Sequence, residues 1–246
     1  METRIFRANN RFAGRTMWDR EILNHLHPDA EYHHCPRIVR REFRENTWKG
    51  SSDPTPLVVS TASAKPLKGC DVLIRAVSLL KARGRTVRLV LAGGFPASGY
   101  GGWLRRLVSD LGLEDSIELT GYTEPGGLVD IYSRATAFVL PSYIENSPNA
   151  LAEALCFGIP CVASRTGGIP SMLPEGTGLL FSRGDPDSLA ERLETVLDSP
   201  DEAARMGAAA RNRGLALHDP EQVARRMLEI YASAAGEIAG GGAESA

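Results

Sequence analysis

From Leu57 onward, short apolar runs alternate with segments of helical periodicity, and this alternation constrains the fold more than any other feature. Apolar runs predict buried strands, and most are separated by helical patterns. Strands that alternate with helices over short connections form a parallel, doubly wound sheet with helices on both faces. We therefore predict an α/β fold with extra helices after Asp185. The predicted strands are residues 57–60, 86–94, 116–121, 136–142, 160–164 and 177–181.

Composition and residue pattern divide the chain into four parts. Residues 1–50 are rich in arginine, histidine and aromatic residues and show no clear β-α alternation. Residues 51–56, with the sequence SSDPTP, predict a linker because proline, serine and aspartate interrupt regular structure. Residues 57–236 hold the alternating pattern and form the predicted main domain. Residues 237–246 predict a disordered tail.

Composition excludes several classes of protein. With 43% hydrophobic and 24% charged residues among 246, the profile is that of a soluble globular protein. The formal net charge of −2 gives no indication of nucleic-acid binding. No apolar run approaches the ~20 residues of a transmembrane helix, and no signal peptide is recognised, although peripheral membrane association stays open. The cysteines form no CxxC pair, so we expect reduced thiols and a cytoplasmic location. They are Cys35, Cys70, Cys156 and Cys161.

A helix predicted to open at Ser147-Pro148 follows the strand at 136–142, with serine as cap and proline in the first turn. Its N-terminal amides and dipole would attract an anion, and phosphate is the usual occupant. Glu145 precedes this helix, and Glu153 lies ~8–9 Å along its axis from the cap. At that separation the two carboxylates would not share a proton, but they could contact opposite ends of one ligand. The alternative is that Glu153 is solvated helix surface.

Other candidate residues lie at predicted strand ends, where doubly wound sheets bind ligands. Lys68 ends a loop before a helix and could neutralise a diphosphate, although lysines in such loops are usually solvated. Gly93-Gly94 and Gly167-Gly168 would let backbone approach a ligand, but could also be plain turns. The histidines His25, His27, His33 and His34 lack zinc-site spacing, so we expect them to be packed or solvated rather than metal ligands.

Several motifs together resemble the family 4 glycosyltransferases, which are retaining enzymes with the GT-B fold. The stretch ENSPNALAEALCFGIPCVASRTGG resembles their E-x7-E signature, and KGCDVLIRA resembles their KG-x-D segment. EGTGLLFSRGDPDSLAERL resembles a conserved downstream stretch of that family. GRTMWDREILNHLHP resembles the end of the acceptor domain in a bacterial polysaccharide-associated branch.

The resemblance implies that residues 57–236 are a Rossmann-like donor-binding domain, the C-terminal half of a GT-B fold. By this resemblance Glu145 faces the donor sugar, Glu153 accepts hydrogen bonds from the ribose hydroxyls, and Lys68 pairs with the diphosphate. The donor would be a nucleotide-diphosphate sugar, a UDP-sugar in our interpretation, transferred with retention and with neither cofactor nor metal. The implied catalytic residues are Glu145 and Lys68; the implied nucleotide-sugar-binding residues are Ser63, Lys65, Gly93, Gly94, Tyr122, Asn146, Ser147, Asn149, Ala150 and Glu153.

The sequence departs from the family in three respects. Ser63 stands where an arginine is common, so Lys65 would supply the missing cation, and Ser171 stands where an acidic residue is common. A GT-B enzyme needs two domains of ~150–200 residues, so residues 1–50 would be only the end of an acceptor domain. An acceptor-domain polypeptide is therefore an expected partner.

Three alternatives accompany the transferase hypothesis. One is a nucleotide-sugar-binding domain without turnover, because most of the acceptor half is missing. Another is a dinucleotide oxidoreductase, which the absence of G-x-G-x-x-G after the first strand of the alternating region disfavours. A UDP-sugar epimerase or phosphorylase of the same fold is not excluded by fold alone.

Overall fold

A six-stranded parallel sheet forms the centre of the molecule in a computed structural model that describes residues 6, 8–51 and 54–241. Its strands are β3 (Leu57–Ser60), β4 (Arg88–Ala92), β5 (Ile117–Gly121), β6 (Ala137–Leu140), β7 (Cys161–Ser164) and β8 (Leu179–Phe181), and two further strands, β1 (Arg11–Gly14) and β2 (Glu31–His34), lie outside this sheet. The strand order β5-β4-β3-β6-β7-β8 confirms the doubly wound α/β prediction.

The central strands are buried on both faces, as expected for a parallel sheet covered by helices. Neighbouring residues of β3 enter different cores, because successive side chains of a strand point to opposite faces. The helices are α1 (Met17–Leu26), α2 (Arg41–Glu45), α3 (Cys70–Ala82), α4 (Gly99–Asp110), α5 (Pro125–Arg134), α6 (Asn149–Phe157), α7 (Ile169–Met172), α8 (Pro186–Asp198), α9 (Pro200–Leu217) and α10 (Pro220–Gly241). Val58 packs in the core under α3, α4 and α8, and Val59 packs in the core under α2, α5, α6 and α9.

The start of α6 differs from the prediction by one position. Pro148 occupies the N-cap with extended backbone, no side chain caps the helix, and Asn149 is the first helical residue. Ser147 is therefore not the cap, because Pro148 itself has extended backbone with ψ of 124° and the helix begins one residue later than predicted. The predicted end is confirmed, since Gly158 adopts a left-handed conformation at the C-cap.

Residues 1–50 contain regular structure that the sequence did not predict. Strands β1 (Arg11–Gly14) and β2 (Glu31–His34) pair in parallel, and α1 connects them as a β-α-β unit. Neither strand is fully buried, and both carry polar residues, so they lack the apolar runs that mark the central strands. Thr16 caps α1 in a capping box with Asp19, so the sequence carries a helix-start signal here that the predicted pattern did not include.

Hydrogen bonds and helical structure continue beyond both ends of the predicted main domain. The chain before the sheet is fastened, because the Trp48 backbone amide donates to Phe157 (2.8 Å) and its indole donates to Ala135 (2.8 Å). Helix α10 runs to Gly241, so residues 237–241 of the predicted disordered tail are helical. Residues 242–246 and linker residues 52–53 lie outside the described residues.

All four cysteines are free thiols and buried. Among the described residues, no helix combines the length and the apolar character required to cross a bilayer.

Candidate functional site

The order of the strands places a crevice at the carboxyl ends of β3 and β6. These two strands are neighbours, but the chain continues outward from β3 through β4 and β5, and outward from β6 through β7 and β8. A doubly wound sheet binds its ligands at such a switch point, because the loops after the two strands diverge there. The predicted residues Lys68 and Glu145 lie in these two loops.

Lys68 and Glu145 form an ion pair across the crevice. Lys68 ends a short 3-10 turn, and Gly69 follows it in a left-handed conformation with φ of 65°. A Cβ atom on Gly69 would lie 2.0 Å from the carbonyl oxygen of Pro141, so only glycine lets the two loops approach this closely. Glu145, which the resemblance assigns to the donor sugar, and Lys68, which it assigns to the diphosphate, thus contact each other directly.

The loop that carries Glu145 is held by hydroxyl groups from the end of β7. Ser164 donates to the carbonyl oxygen of Ser142 (2.6 Å), and Thr166 donates to that of Tyr143 (3.0 Å). The amide of Gly168 donates to the carbonyl oxygen of Glu145 itself (3.1 Å). A Cβ on Gly167 would lie 2.0 Å from that oxygen, so this glycine pair packs against the Glu145 loop.

Asp71, the acidic residue of the KG-x-D segment, joins three elements beside the crevice. Tyr100 of α4 donates to its Oδ1 (2.9 Å), and Tyr143 of the Glu145 loop donates to its Oδ2 (3.1 Å). Burial raises the pKa of both phenols, and the Asp71 carboxylate raises it further. Both tyrosines therefore stay neutral donors, and Asp71 fixes the Glu145 loop through Tyr143.

Glu153 is buried, which excludes the alternative of a solvated helix surface. Arg40 donates to it through two parallel hydrogen bonds, Nε to Oε1 (2.7 Å) and Nη2 to Oε2 (2.9 Å). These hydrogen bonds raise the pKa of Arg40. Both side chains line a cavity of about 410 Å³ that also contacts the first turn of α6; its other lining residues are Ile38, Val39, Thr61, Leu128, Asn149 and Ala150.

The N-terminus of α6 faces charged and polar side chains from outside the sheet. Arg37 donates to the side-chain oxygen of Asn149, the first residue of the helix. Asn146 donates to Asp19 (2.7 Å) and accepts from Thr16 (2.5 Å), and these contacts fasten α1 to the loop before α6. The predicted residue Asn146 is thus held by the β-α-β unit.

The other predicted residues are divided between the crevice and the surface. The loops after β3 and β4 contact each other, because the Ala64 amide donates to Gly94 (3.0 Å) and a Cβ on Gly93 would lie 3.2 Å from the Cα of Ser63. Lys65 is exposed, and Tyr122 is 80% exposed in the loop after β5. The structure therefore brings together the glycine pair and Ser63, and leaves Lys65 and Tyr122 in solvent.

Two of the histidines near the start of the chain contact a backbone carbonyl group and a carboxylate through their rings. His34 Nε2 lies 2.8 Å from the carbonyl oxygen of Arg15, and His33 lies 3.3 Å from Glu31. In the described part of the chain, no group of three or more His, Cys, Asp or Glu side chains is arranged to hold a metal ion.

Residues 42–213 match the family described as glycosyl transferases group 1, and this stretch covers most of the chain. The chain belongs to this family. The resemblance drawn from the motifs is thereby confirmed at the level of the family.

Curated relatives of this glycosyltransferase chain include two proteins of Corynebacterium glutamicum. D-inositol 3-phosphate glycosyltransferase is 35% identical over 199 residues, which cover 78% of this chain and 47% of the relative. A GDP-mannose-dependent phosphatidylinositol monomannoside mannosyltransferase is 29% identical over 191 residues, which cover 75% and 49%. The chain spans about half the length of the curated relatives it matches.

Among solved structures, sucrose-phosphate synthase from Thermosynechococcus elongatus superposes with a TM-score of 0.83 at 24% identity. The match covers 96% of this chain and 61% of the synthase. At this level of identity the likeness shows the fold, and it agrees with the parallel sheet described above.

Sequence reasoning missed the arginines of this group 1 glycosyltransferase chain that contact α6. Arg37 and Arg40 lie in the stretch RIVRREFRE, which contains four arginines, and no motif separates those that reach the site from those in solvent. Phe43 was the one feature of the sequence that could have shown that this segment packs on the domain, because a phenylalanine flanked by charged residues indicates a side chain anchored in a core. Phe43 is in fact fully buried.

Proposed function

We propose that this chain is the donor-binding half of a retaining glycosyltransferase that moves a sugar from a nucleotide-diphosphate sugar to an acceptor. The observation that carries the proposal is the position of the two carboxylates around the N-terminus of α6. Glu145 lies with Lys68 at the switch-point crevice, and Glu153 lies in the adjoining cavity. Membership of the glycosyl transferases group 1 family supports the reaction class.

The geometry supports separate roles for the residues of the site. The amides of the first turn of α6 have no acceptors within the helix, so they would receive the diphosphate, and the helix dipole would favour its charge. Glu153 would accept hydrogen bonds from the ribose hydroxyls. Lys68 would move from Glu145 to the diphosphate, where its charge stabilises the leaving group. Glu145 would then face the sugar.

Retention would follow from attack on the face that the leaving group departs from. The bond between the anomeric carbon and the phosphate oxygen breaks, the diphosphate leaves with the electron pair, and the acceptor hydroxyl forms the new bond on the same face. The acceptor proton passes to the leaving phosphate oxygen. No step in this scheme requires a metal, because Lys68 and the α6 amides neutralise the developing charge.

The test is isothermal titration of the full chain with UDP, GDP and their sugars, followed by an assay for released nucleotide and transferred sugar. Both bases are included because the sequence favoured UDP, whereas one relative is named as GDP-mannose-dependent. Failure of every nucleotide and nucleotide sugar to bind the wild-type chain would sink the proposal.

Three variants separate the roles. We expect Glu153→Ala to weaken nucleotide binding about tenfold or more, because a hydrogen bond to a charged group contributes ~1.5–3 kcal/mol. Lys68→Ala should weaken the binding of the nucleoside diphosphate more than the binding of the nucleoside. Glu145→Ala should mainly reduce the rate of sugar transfer. Glu202→Ala, which removes an exposed carboxylate of α9, is the matched control.

The second candidate is a nucleotide-sugar-binding domain that does not turn over alone. It is favoured by the length of the chain, which covers about half of its curated relatives. In this case residues 1–50 are the end of an acceptor domain that a longer or separate polypeptide completes. Binding without release or transfer of sugar, even to water, would select this candidate over the first.

A further inference from the structure

We propose that Arg40 is a positioning residue of the donor site, which holds the carboxylate of Glu153 in the orientation that receives the ribose hydroxyls. The inference rests on the proposed function, because it assigns a partner to the residue that would bind the ribose. Arg40 lies outside the sheet and outside every motif that identifies the family, in the segment that leads into α2.

The contact has the geometry of a fixed pair. Both oxygens of Glu153 accept from one planar guanidinium, at 2.7 and 2.9 Å, so the carboxylate plane is set by the arginine. A carboxylate has about four lone-pair sites, and this pairing uses two of them. The remaining two stay available for hydroxyl donors from a ligand in the cavity that both side chains line.

Arg40 is itself held in place from its other side. Its guanidinium carbon lies 4.9 Å from the centroid of the Phe43 ring, a cation-π contact. Phe43 is fully buried, and its ring packs against Tyr132 (5.4 Å) and Phe157 (6.4 Å). The guanidinium therefore has an aromatic support on one side and the carboxylate on the other.

Burial makes the pair necessary for the proposed contact. The side chain of Glu153 is 7% exposed, and a buried carboxylate without a cation or hydrogen-bond donors is strongly disfavoured. The side chain of Arg40 is 42% exposed, so it reaches the cavity from solvent without being buried itself. Without Arg40, the buried carboxylate would lose its cation and the two hydrogen bonds that set its plane, so it would receive hydroxyls poorly.

The test uses titration of the full chain with UDP, GDP and their 2′-deoxy and 3′-deoxy forms. We compare the wild type with Arg40→Ala, Arg40→Lys and the control Arg41→Ala. Arg41 is the neighbouring arginine, and it forms an exposed pair with Glu45 instead (2.6 Å). The decisive readout is the ratio of affinities between a nucleotide and its deoxy form, because a merely structural role would lower both affinities together.

We expect the wild type to prefer the ribonucleotide about tenfold, Arg40→Ala to lose this preference, and Arg41→Ala to keep it. Arg40→Lys should retain less than half of it, because an ammonium cannot form the parallel pair of hydrogen bonds. If Arg40→Ala does not fold, Arg40→Lys decides the question. The inference would be overturned if Arg40→Ala kept the preference for the ribonucleotide, including by losing affinity for both forms equally. It would also be overturned if the wild type bound the nucleotide and its deoxy form equally. A wild type that binds no nucleotide at all would instead overturn the proposed function.

Discussion

The two carboxylates of the site lie eight residues apart, yet their cations come from different regions of the molecule. Lys68, the partner of Glu145, lies in the loop between β3 and α3 of the central sheet. Arg40, the partner of Glu153, lies in residues 36–45, a stretch before the sheet that we call the leading segment. One half of the site is thus built by the sheet, and the other half is completed by the leading segment.

The difference shows how each half is specified. The topology of a doubly wound sheet brings the loops after β3 and β6 together whatever else the chain contains. The leading segment is held against α6 by side-chain contacts, among them Phe43, which enters the core, and His218, which binds the Arg37 carbonyl oxygen through Nδ1 at 2.7 Å. The attachment of the leading segment therefore depends on individual side chains. The following variants test it and compare it with contacts elsewhere in the molecule, in order of expected effect.

The largest effect is expected from Phe43→Ala. Phe43 is fully buried against Tyr132 and Phe157, so its removal leaves a large cavity. We expect the free energy of unfolding to fall by about 3–5 kcal/mol, measured by urea denaturation. Tyr231→Ala, which removes an exposed aromatic side chain of α10, is the control and should cost little. A loss below about 1 kcal/mol would show that the leading segment is only appended to the domain.

The second effect is a dependence of stability on pH through His218, which binds the Arg37 carbonyl oxygen. Burial lowers the pKa of His218 from 6.5 to about 4, with smaller contributions from His34 and Arg213. The folded pKa is below the unfolded value, so the unfolded state binds more protons at acidic pH. Stability is therefore retained above pH 6.5 and falls as the pH decreases from 6.5 toward 4.

The variant His218→Asn tests this dependence, because an amide can donate to the Arg37 carbonyl without titrating. Between pH 7 and pH 5 we expect the wild type to lose about 1–2 kcal/mol more stability than the variant. Urea denaturation at several pH values measures the difference. Parallel pH curves for the two proteins would contradict the role assigned to His218.

A smaller effect is expected where the β-α-β unit meets the loop before α6. Asn146→Ala removes the hydrogen bonds to Thr16 and Asp19, and we expect a cost of about 1–2 kcal/mol. The control is Asn46→Ala, which removes only an exposed local bond to the Glu42 carbonyl oxygen. If thermal denaturation shows the same cost for both variants, the contact with α1 does not hold the loop.

The smallest effect is expected from an ion pair on the helices that cover the sheet. Arg83, the C-cap of α3, contacts Asp187 (3.2 Å) and Glu194 (2.9 Å) of α8, and the three side chains are between 24% and 66% exposed. Arg83→Ala should cost less than about 1 kcal/mol, and the cost should decrease in salt. A cost similar to that of Arg40→Ala, measured as unfolding free energy, would remove the distinction between buried and exposed pairs.

The sheet could be predicted from the sequence because its strands are buried on both faces and therefore appear as continuous apolar runs, as in LVVS at 57–60. Strands β1 and β2 could not, because half-exposed parallel strands with polar residues leave no such signal. In the site, Glu145, Lys68 and Glu153 lie in motifs. The positions of Arg37 and Arg40 depend on tertiary packing, which sequence spacing does not encode.

The aromatic cluster around Phe43 has a consequence for cooperativity. Its rings span the leading segment, α5 and α6, with Tyr132 also contacting Phe138 of β6 at 5.6 Å. A fluctuation that lifts the whole leading segment from α6 must expose this cluster to water, so it requires most of the free energy of global unfolding. The leading segment and the sheet should therefore melt in a single calorimetric transition, and amide exchange at Phe43 should be as slow as in β6.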